Sequence, residues 1–380
     1  MAVGMDTELL VIGAGPYALS AAALAQENGI RTTVLGHPMA FWREHMPAGM
    51  FLRSGPDWHL DAAGVHTLEA YLEERGVDPA DVDPMPIDVF LDYADWFRAA
   101  KGVEPRADLV TRLARSNGGY EATLESGDRV AAKAVVCAPG IRHFANLPVW
   151  AADVPSDRAA HTCDLVSFDS VAGERVLIVG GRQSAYEWAA LMAEHGAAAV
   201  DVVHRHEVPR FEPVSWRFID PHVQRTLEVP GYWRRLPATE QESITRRFWE
   251  VGRVTLEAWL TPRLARAEIR RRPGCEVVGV TALPADRGLA VRLSDSDSIE
   301  VDRVVLASGY RAQIERVPYL QELLDDVETV DGSPALDEAL QTNLDGLYVT
   351  GFPATRDFGP FFGFVKAVPA SATLIVRDLL

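Results

Sequence analysis

The apolar positions of this chain gather into short runs that break on glycine, and the arrangement recurs. Glu8 to Ile12 is an apolar run of the length of a strand buried on both faces, and Gly13-Ala14-Gly15-Pro16-Tyr17-Ala18 follows at once. An Ala- and Leu-rich stretch over 17–28 predicts a helix stopping at Gly29, and Arg31 to Leu35 predicts a second strand. The same order returns later. Glu174 to Val179 is apolar, Gly180-Gly181-Arg182-Gln183-Ser184-Ala185 opens an Ala-rich helix that ends near His195-Gly196, and Ala199 to Val203 reads as the next strand.

Between these units the pattern predicts helices around 66–75 and 86–101, then strands at Tyr120–Leu124 and Val130–Cys137 joined by Ser126-Gly127-Asp128. The second of these strands ends in Ala138-Pro139-Gly140, and the apolar run from Val301 ends likewise in Ala307-Ser308-Gly309. Two such endings beside two strand–turn–helix units imply chain crossings between domains. The expected fold is α/β, with two Rossmann-like dinucleotide-binding domains: 1–150 with 300–380, and an inserted 151–299 carrying a helical segment over 207–272. Trp216, Trp233, Trp249 and Trp259 in that segment read as core or subunit contact before they read as a cleft cover. Asp295-Ser296-Asp297-Ser298 reads as a hairpin turn, because a calcium loop needs more oxygen ligands and a glycine at fixed spacing.

The spacing of Gly13, Gly15 and Ala18 has a physical reason. The first glycine permits a tight turn, the second lets backbone approach a pyrophosphate, and the alanine keeps helix close to strand. The helix N-terminus then offers free N–H groups and a positive dipole end to a phosphate. A carboxylate for the ribose is expected at the end of the next strand, where this chain has Leu35-Gly36-His37. In the second unit Arg182 replaces the second glycine; a guanidinium there could bind phosphate itself. His204-Arg205-His206 follows the next strand, and a cation without a carboxylate favours the 2′-phosphate of NADPH over NADH, although Arg205 could equally be a solvated strand-end charge.

The charge balance narrows the partners. Asp and Glu number 54 against 37 Lys and Arg, a net −17, which argues against nucleic acid and anionic membranes, so an anionic ligand must be caught locally. No apolar run reaches the ~18 residues of a membrane helix, and the first residues lack the basic region of a signal peptide, so a cytoplasmic protein is expected. Cys137, Cys163 and Cys275 form neither a C-x-x-C pair nor a metal-ligand spacing; buried thiols are expected, with no metal site.

Taken together these residues resemble the NADPH-dependent flavoprotein monooxygenases with two dinucleotide-binding domains, which include flavin-containing, Baeyer–Villiger and amine N-hydroxylating enzymes. The carriers are Gly13-x-Gly15-x-x-Ala18 for FAD, Gly180 to Ala185 in the place of the NADPH fingerprint, and Leu306 to Tyr310 resembling the late A-T-G-Y turn. Gly351, with Gly359-Pro360, resembles the family's segment near the flavin. Phe41-Trp42 through Met46-Pro47, Met50, and Leu52-Arg53-Ser54 resemble its loop over the flavin ring. Of the family's F-x-G-x-x-x-H only His161 is present, with Pro155 and Asp157 at the other places, which argues against Baeyer–Villiger chemistry.

The resemblance implies FAD and NADPH as cofactors, and a reaction in which NADPH reduces the flavin and a flavin hydroperoxide passes one oxygen atom to a small molecule. The cofactor-contacting set it implies is Gly13, Gly15, Pro16, Tyr17, Ala18, Trp42, Met50, Arg53, Ser54, His59, Gly140, Gly180, Gly181, Arg182, Gln183, Ser184, Arg205, Gly309, Gly351, Phe352, Gly359 and Pro360. Arg53 and His59 are candidate ring-side donors, and a hydrogen-bonded structural role is the simpler expectation for His59 and His161. No side chain is singled out as catalytic. A reductase serving a protein or quinone, and a nucleotide-binding protein without turnover, stand as alternatives, and a homo-oligomer stays open.

Overall fold

The computed structural model describes residues 6–284 and 287–380. In chain order, β1 (Thr7–Ile12), α1 (Pro16–Glu27) and β2 (Thr32–Leu35) make the first strand–turn–helix unit. Then come α2 (Ile87–Ala100), β3 (Val110–Ser116), β4 (Gly119–Leu124) and β5 (Arg129–Cys137). The chain crosses to β6 (Ala159–His161), β7 (Arg175–Val179), α3 (Gln183–Glu194) and β8 (Ala199–His204). A helical stretch follows, with α4 (Asp220–Glu228), α5 (Tyr232–Arg235) and α6 (Ala238–Trp249), and then β9 (Ile269–Pro273). The remaining elements are β10 (Val277–Ala282), β11 (Leu289–Leu293), β12 (Ser298–Val301), β13 (Arg303–Leu306), β14 (Leu347–Val349) and α7 (Val368–Leu379).

Two sheets carry the molecule, the first mixed and the second parallel. In the first, β1 lies between β2 and β5, with Leu10 opposite Thr33 and Val135. The far edge of β5 is shared: its first half pairs antiparallel with β4, and its last residues pair parallel with β14. The second sheet runs β9-β8-β7-β13-β6, all parallel. Strands buried on both faces read as continuous apolar runs, which is why β1, β5 and β7 stand out in the sequence. The α1 helix is buried almost all round, from Ala18 to Ala23 and at Ala25. Its small side chains let it lie between the first sheet and α7, where Pro369 occupies the first turn.

Two stretches differ from expectation. Strand β13 lies beyond residue 300 yet pairs with β7 and β6, so the second sheet takes in Arg303–Leu306, and the return to the first domain follows Leu306. Strand β9 falls within the stretch expected to be helical. Its sequence Ile-Arg-Arg-Arg-Pro lacks an apolar run because Arg270 and Arg272 both bind the buried carboxylate of Asp201 at 2.8 Å. The Asp295–Ser298 segment joins antiparallel β11 and β12, with Ser296 at φ 72°, as a hairpin turn should.

The helical stretch packs onto the first domain. Trp216, Ile219, Trp233 and Phe248 are buried in the same apolar cluster as β1, β5 and α7. Trp233 meets the ring of Phe361 edge-on at 5.8 Å, and Trp216 sits 6.0 Å from Phe364. These two tryptophans are therefore core, binding the insert to the C-terminal segment.

Candidate active site

The two glycine turns are built alike. Gly13 has φ +113°, and a Cβ there would lie 2.4 Å from the carbonyl oxygen of Ala138, the first residue after β5. Gly180 has φ +143°, and its Cβ would lie 2.4 Å from the carbonyl oxygen of Ala307, the first residue after β13. Each turn thus closes against an Ala-x-Gly ending, whose own glycines, Gly140 and Gly309, have positive φ and open space around them. Neither α1 nor α3 has a side-chain cap or an acid in its first turn. Their leading N–H groups stay free for an anion, and Pro16, which has no N–H, costs α1 nothing at N1. Both turns fit a dinucleotide pyrophosphate.

The missing ribose carboxylate has a steric cause. Gly36 has φ +137°, and a Cβ there would press within 3.3 Å of Ala14 N and Gly13 C. At the second turn Gly181 faces the ring of His204, which would lie 2.4 Å from an added Cβ. His204 is fixed by Tyr186 Oη on Nε2 at 2.8 Å and by the carbonyl of His206 on Nδ1 at 2.8 Å. Arg182 supplies the N-cap, with Ser184 exposed beside it. Loss of solvent and then the neighbouring Arg205 charge push its guanidinium below the ordinary arginine range. Neither Arg182 nor Arg205 has an ion-pair partner among the described residues. Two neighbouring cations without an ion-pair partner among the described residues favour a phosphate-bearing ligand.

Tyr17 ties the first turn to the C-terminal segment. Its buried hydroxyl lies within hydrogen-bond reach of the carbonyls of Phe362 and Phe364, the latter at 2.8 Å. Gly351, at φ +80°, lies against the Tyr17 ring, and Phe352 packs on Phe144. Gly359 turns the chain with φ +92°, against Phe361 and Trp233, and Pro360 begins the next turn.

The loop from 41 to 59 crosses the domain boundary. Trp42 packs on Phe90 of the first domain, whereas Met50 packs into the second domain's core. Arg53 donates from Nε to Glu257 at 2.9 Å, from Nη1 to Gly252 O at 2.8 Å, and from Nη2 to Val251 O and Thr255 O. Four of its five N–H donors are engaged by the second domain. His59 is partly buried, its Nδ1 meets no partner, and burial holds its imidazole below the ordinary range. A cavity of about 230 Å³ opens here, lined by Arg53, Ser54, Trp58, Trp216, Glu257 and Trp259 among others.

His161 plays the hydrogen-bonded part the sequence suggested. Its Nδ1 lies 3.1 Å from the Cys163 thiol and its Nε2 lies 3.2 Å from Gly309 O, which fixes the end of β6 to the second Ala-x-Gly turn. Sequence reasoning gave no role to two acids at the boundary. Glu187 is fully buried, and burial pushes its carboxyl up to about 8; Glu257 is raised too, first by burial. The available signal was Gln183 and Glu187 at i,i+4 on one face of an otherwise Ala-rich helix. No cluster of His, Cys, Asp or Glu among the described residues could hold a metal ion.

Residues 7–356 match the family model of pyridine nucleotide-disulphide oxidoreductases. The chain belongs to that family. It is similar to an FAD-dependent urate hydroxylase of Xanthomonas campestris, 31% identical over 160 residues that cover 40% of this chain and 32% of that protein. It is 25% identical to the indole-3-pyruvate monooxygenase YUCCA1 of rice over 80% of this chain and 77% of that one. A ferredoxin–NADP reductase of Cupriavidus necator is 26% identical over 91% of this chain and 86% of its own. Among solved structures, an ornithine N-hydroxylase from Kutzneria sp. 744 superposes with a TM-score of 0.83 at 14% identity, covering 98% of this chain and 99% of that one. The chain spans about a third of the urate hydroxylase. The chain belongs to an oxidoreductase family and shares its fold with that ornithine N-hydroxylase, a structure holding reduced FAD and NADP⁺. No helix among the described residues is long and apolar enough to cross a membrane.

Proposed function

We propose that the protein is a monooxygenase acting on a small molecule, with FAD on the first glycine turn and NADPH on the second. When bound, the two cofactors supply the reducing equivalents and the site of dioxygen activation. The chain's own residues bind, orient and shield. The N-terminus of α1 holds one pyrophosphate, the N-terminus of α3 with Arg182 holds the other, and Arg205 receives the 2′-phosphate. Tyr17 keeps the C-terminal segment against the first turn. The clasp of Arg53 on Glu257 holds the crossing loop over the boundary and limits water there.

One observation carries this reading: two uncapped helix N-termini behind matching glycine turns, in a chain whose three cysteines are all free and buried. No cysteine pair is available to carry electrons out of the flavin to a disulfide. The names of the urate hydroxylase, the rice monooxygenase and the ornithine N-hydroxylase agree with oxygenation. The Cupriavidus relative favours a second reading, a reductase for a protein acceptor. Reduced enzyme carrying NADP⁺ should, on mixing with air, return to the oxidised spectrum through a distinct long-lived stage. In the presence of substrate, labelled dioxygen should then place one atom in the product. A direct return, with fast turnover of ferredoxin and no label incorporated, supports the reductase.

A further inference from the structure

Two side chains of α3 reach over the domain boundary and hold the crossing loop at two points. Glu187 Oε1 accepts the backbone N–H of Phe51 at 2.8 Å. Gln183, the first residue of α3, accepts the N–H of Glu257 on its Oε1 at 3.3 Å, and Glu257 binds Arg53. Residues 51 and 53 are therefore both tied, one directly and one through Glu257, to the helix whose N-terminus closes the second glycine turn. The opposite end of the same loop is tied to the first domain's C-terminal segment, where Lys366 binds Asp57 at 2.7 Å.

The clasp is half satisfied. Gln183 Nε2 and Glu187 Oε2 are buried without a partner of good geometry. With Glu187 ionised they are a donor and an acceptor one turn apart on the same helical face, so each is what the other lacks. A buried polar atom left unpaired is costly, and a small adjustment of the first turn of α3 would join the two. That turn is also where a phosphate would bind, because the Gln183 N–H is one of the free groups at the N-terminus of α3.

We propose that Gln183 and Glu187 are positioning residues that couple nucleotide occupancy of the second turn to the placement of residues 51–53 at the domain boundary. The proposal rests on the assignment of NADPH to that turn. A phosphate that orders the start of α3 brings the two side chains together and tightens their hold on the N–H groups of Phe51 and Glu257. The hold on residues 51–53 then tightens when the electron donor is present. Because coupling is reciprocal, loosening the loop must weaken the nucleotide by the same factor.

The test is amide hydrogen exchange, resolved to Phe51 and Glu257, on FAD-loaded wild type, Glu187→Gln and Glu187→Leu, with and without saturating NADP⁺. NADP⁺ should slow exchange at both amides of the wild type by about tenfold, a typical coupling. Glu187→Gln keeps an acceptor oxygen for the Phe51 N–H but sets a second amide donor against Gln183 Nε2, and should lose part of this response. Glu187→Leu should lose it, and its NADP⁺ dissociation constant should rise by the same fold-change, measured by titration calorimetry. NADP⁺ binding to the wild type with unchanged exchange at Phe51, or a full response in Glu187→Leu, overturns the coupling alone. Failure of the wild type to bind NADP⁺ overturns the assignment of the second turn, and the coupling with it.

Discussion

Gly13 and Gly180 occupy equivalent places, each at positive φ, each with a carbonyl oxygen where a Cβ would stand, each opening an uncapped helix. Two positions later the turns diverge. Gly15 has nothing within 4 Å of where its Cβ would be, whereas Arg182 presents a guanidinium repelled by Arg205. The scaffold that brings backbone N–H groups to a phosphate is thus separable from the residue that faces the ligand. The first turn is bare, and the second carries charge.

The largest effects should come from the shared scaffold. Gly13→Ala and Gly180→Ala each force an alanine into a glycine backbone against a carbonyl oxygen, with losses on the order of 3 kcal/mol in denaturant unfolding. The cofactor lost should differ: Gly13→Ala should purify colourless, and Gly180→Ala yellow but unresponsive to NADPH. Loss of the same cofactor from both variants would dissolve the comparison.

The charged side of the comparison is tested next. Arg205→Ala should weaken NADP⁺ by roughly 10–100-fold, the value of a charge-assisted hydrogen bond, while leaving NAD⁺ nearly unchanged in calorimetric titration. Arg182→Ala should weaken both nucleotides. Equal losses for both nucleotides in Arg205→Ala would remove Arg205 from the 2′-phosphate.

A smaller effect separates the helices themselves, since only α3 buries a carboxyl. Burial pushes Glu187 up to about 8, so between the ordinary carboxylate range and that pH the folded chain holds a proton that the unfolded chain has released. The stability due to this group is complete in acid and falls as pH rises through that window. Glu187→Gln should match wild type near the ordinary carboxylate pKa and gain on it as pH rises towards 8. A pH-independent difference in thermal midpoint would contradict this. Tyr17→Phe, which removes the hydroxyl joining the first turn to residues 362–364, should cost about 1 kcal/mol in denaturant unfolding and leave FAD in place.

The scaffold was legible in the sequence, because strands buried on both faces must be apolar and turns at positive φ must be glycine. The two strand–turn–helix units and both Ala-x-Gly endings follow from those rules. Strand β9 was hidden because Arg270 and Arg272 are neutralised by Asp201, a residue of another strand. The membership of β13 depends on pairing with β6 and β7, which local pattern does not encode. The glycines and the two arginines of the proposed site come from spacing and charge. The clasp of Glu187 and Glu257 on the crossing loop could not, since its partners are far apart in the chain and meet only when the domains pack.

Anaerobic titration of FAD-loaded protein with NADPH tests most directly whether two differently equipped turns serve two cofactors in one chain. The account predicts stoichiometric loss of the yellow colour in wild type, a much weaker titration in Arg182→Ala, and persistent colour in Gly180→Ala. A wild type that stays yellow in excess NADPH, or a Gly180→Ala variant that bleaches as readily as wild type, would contradict it.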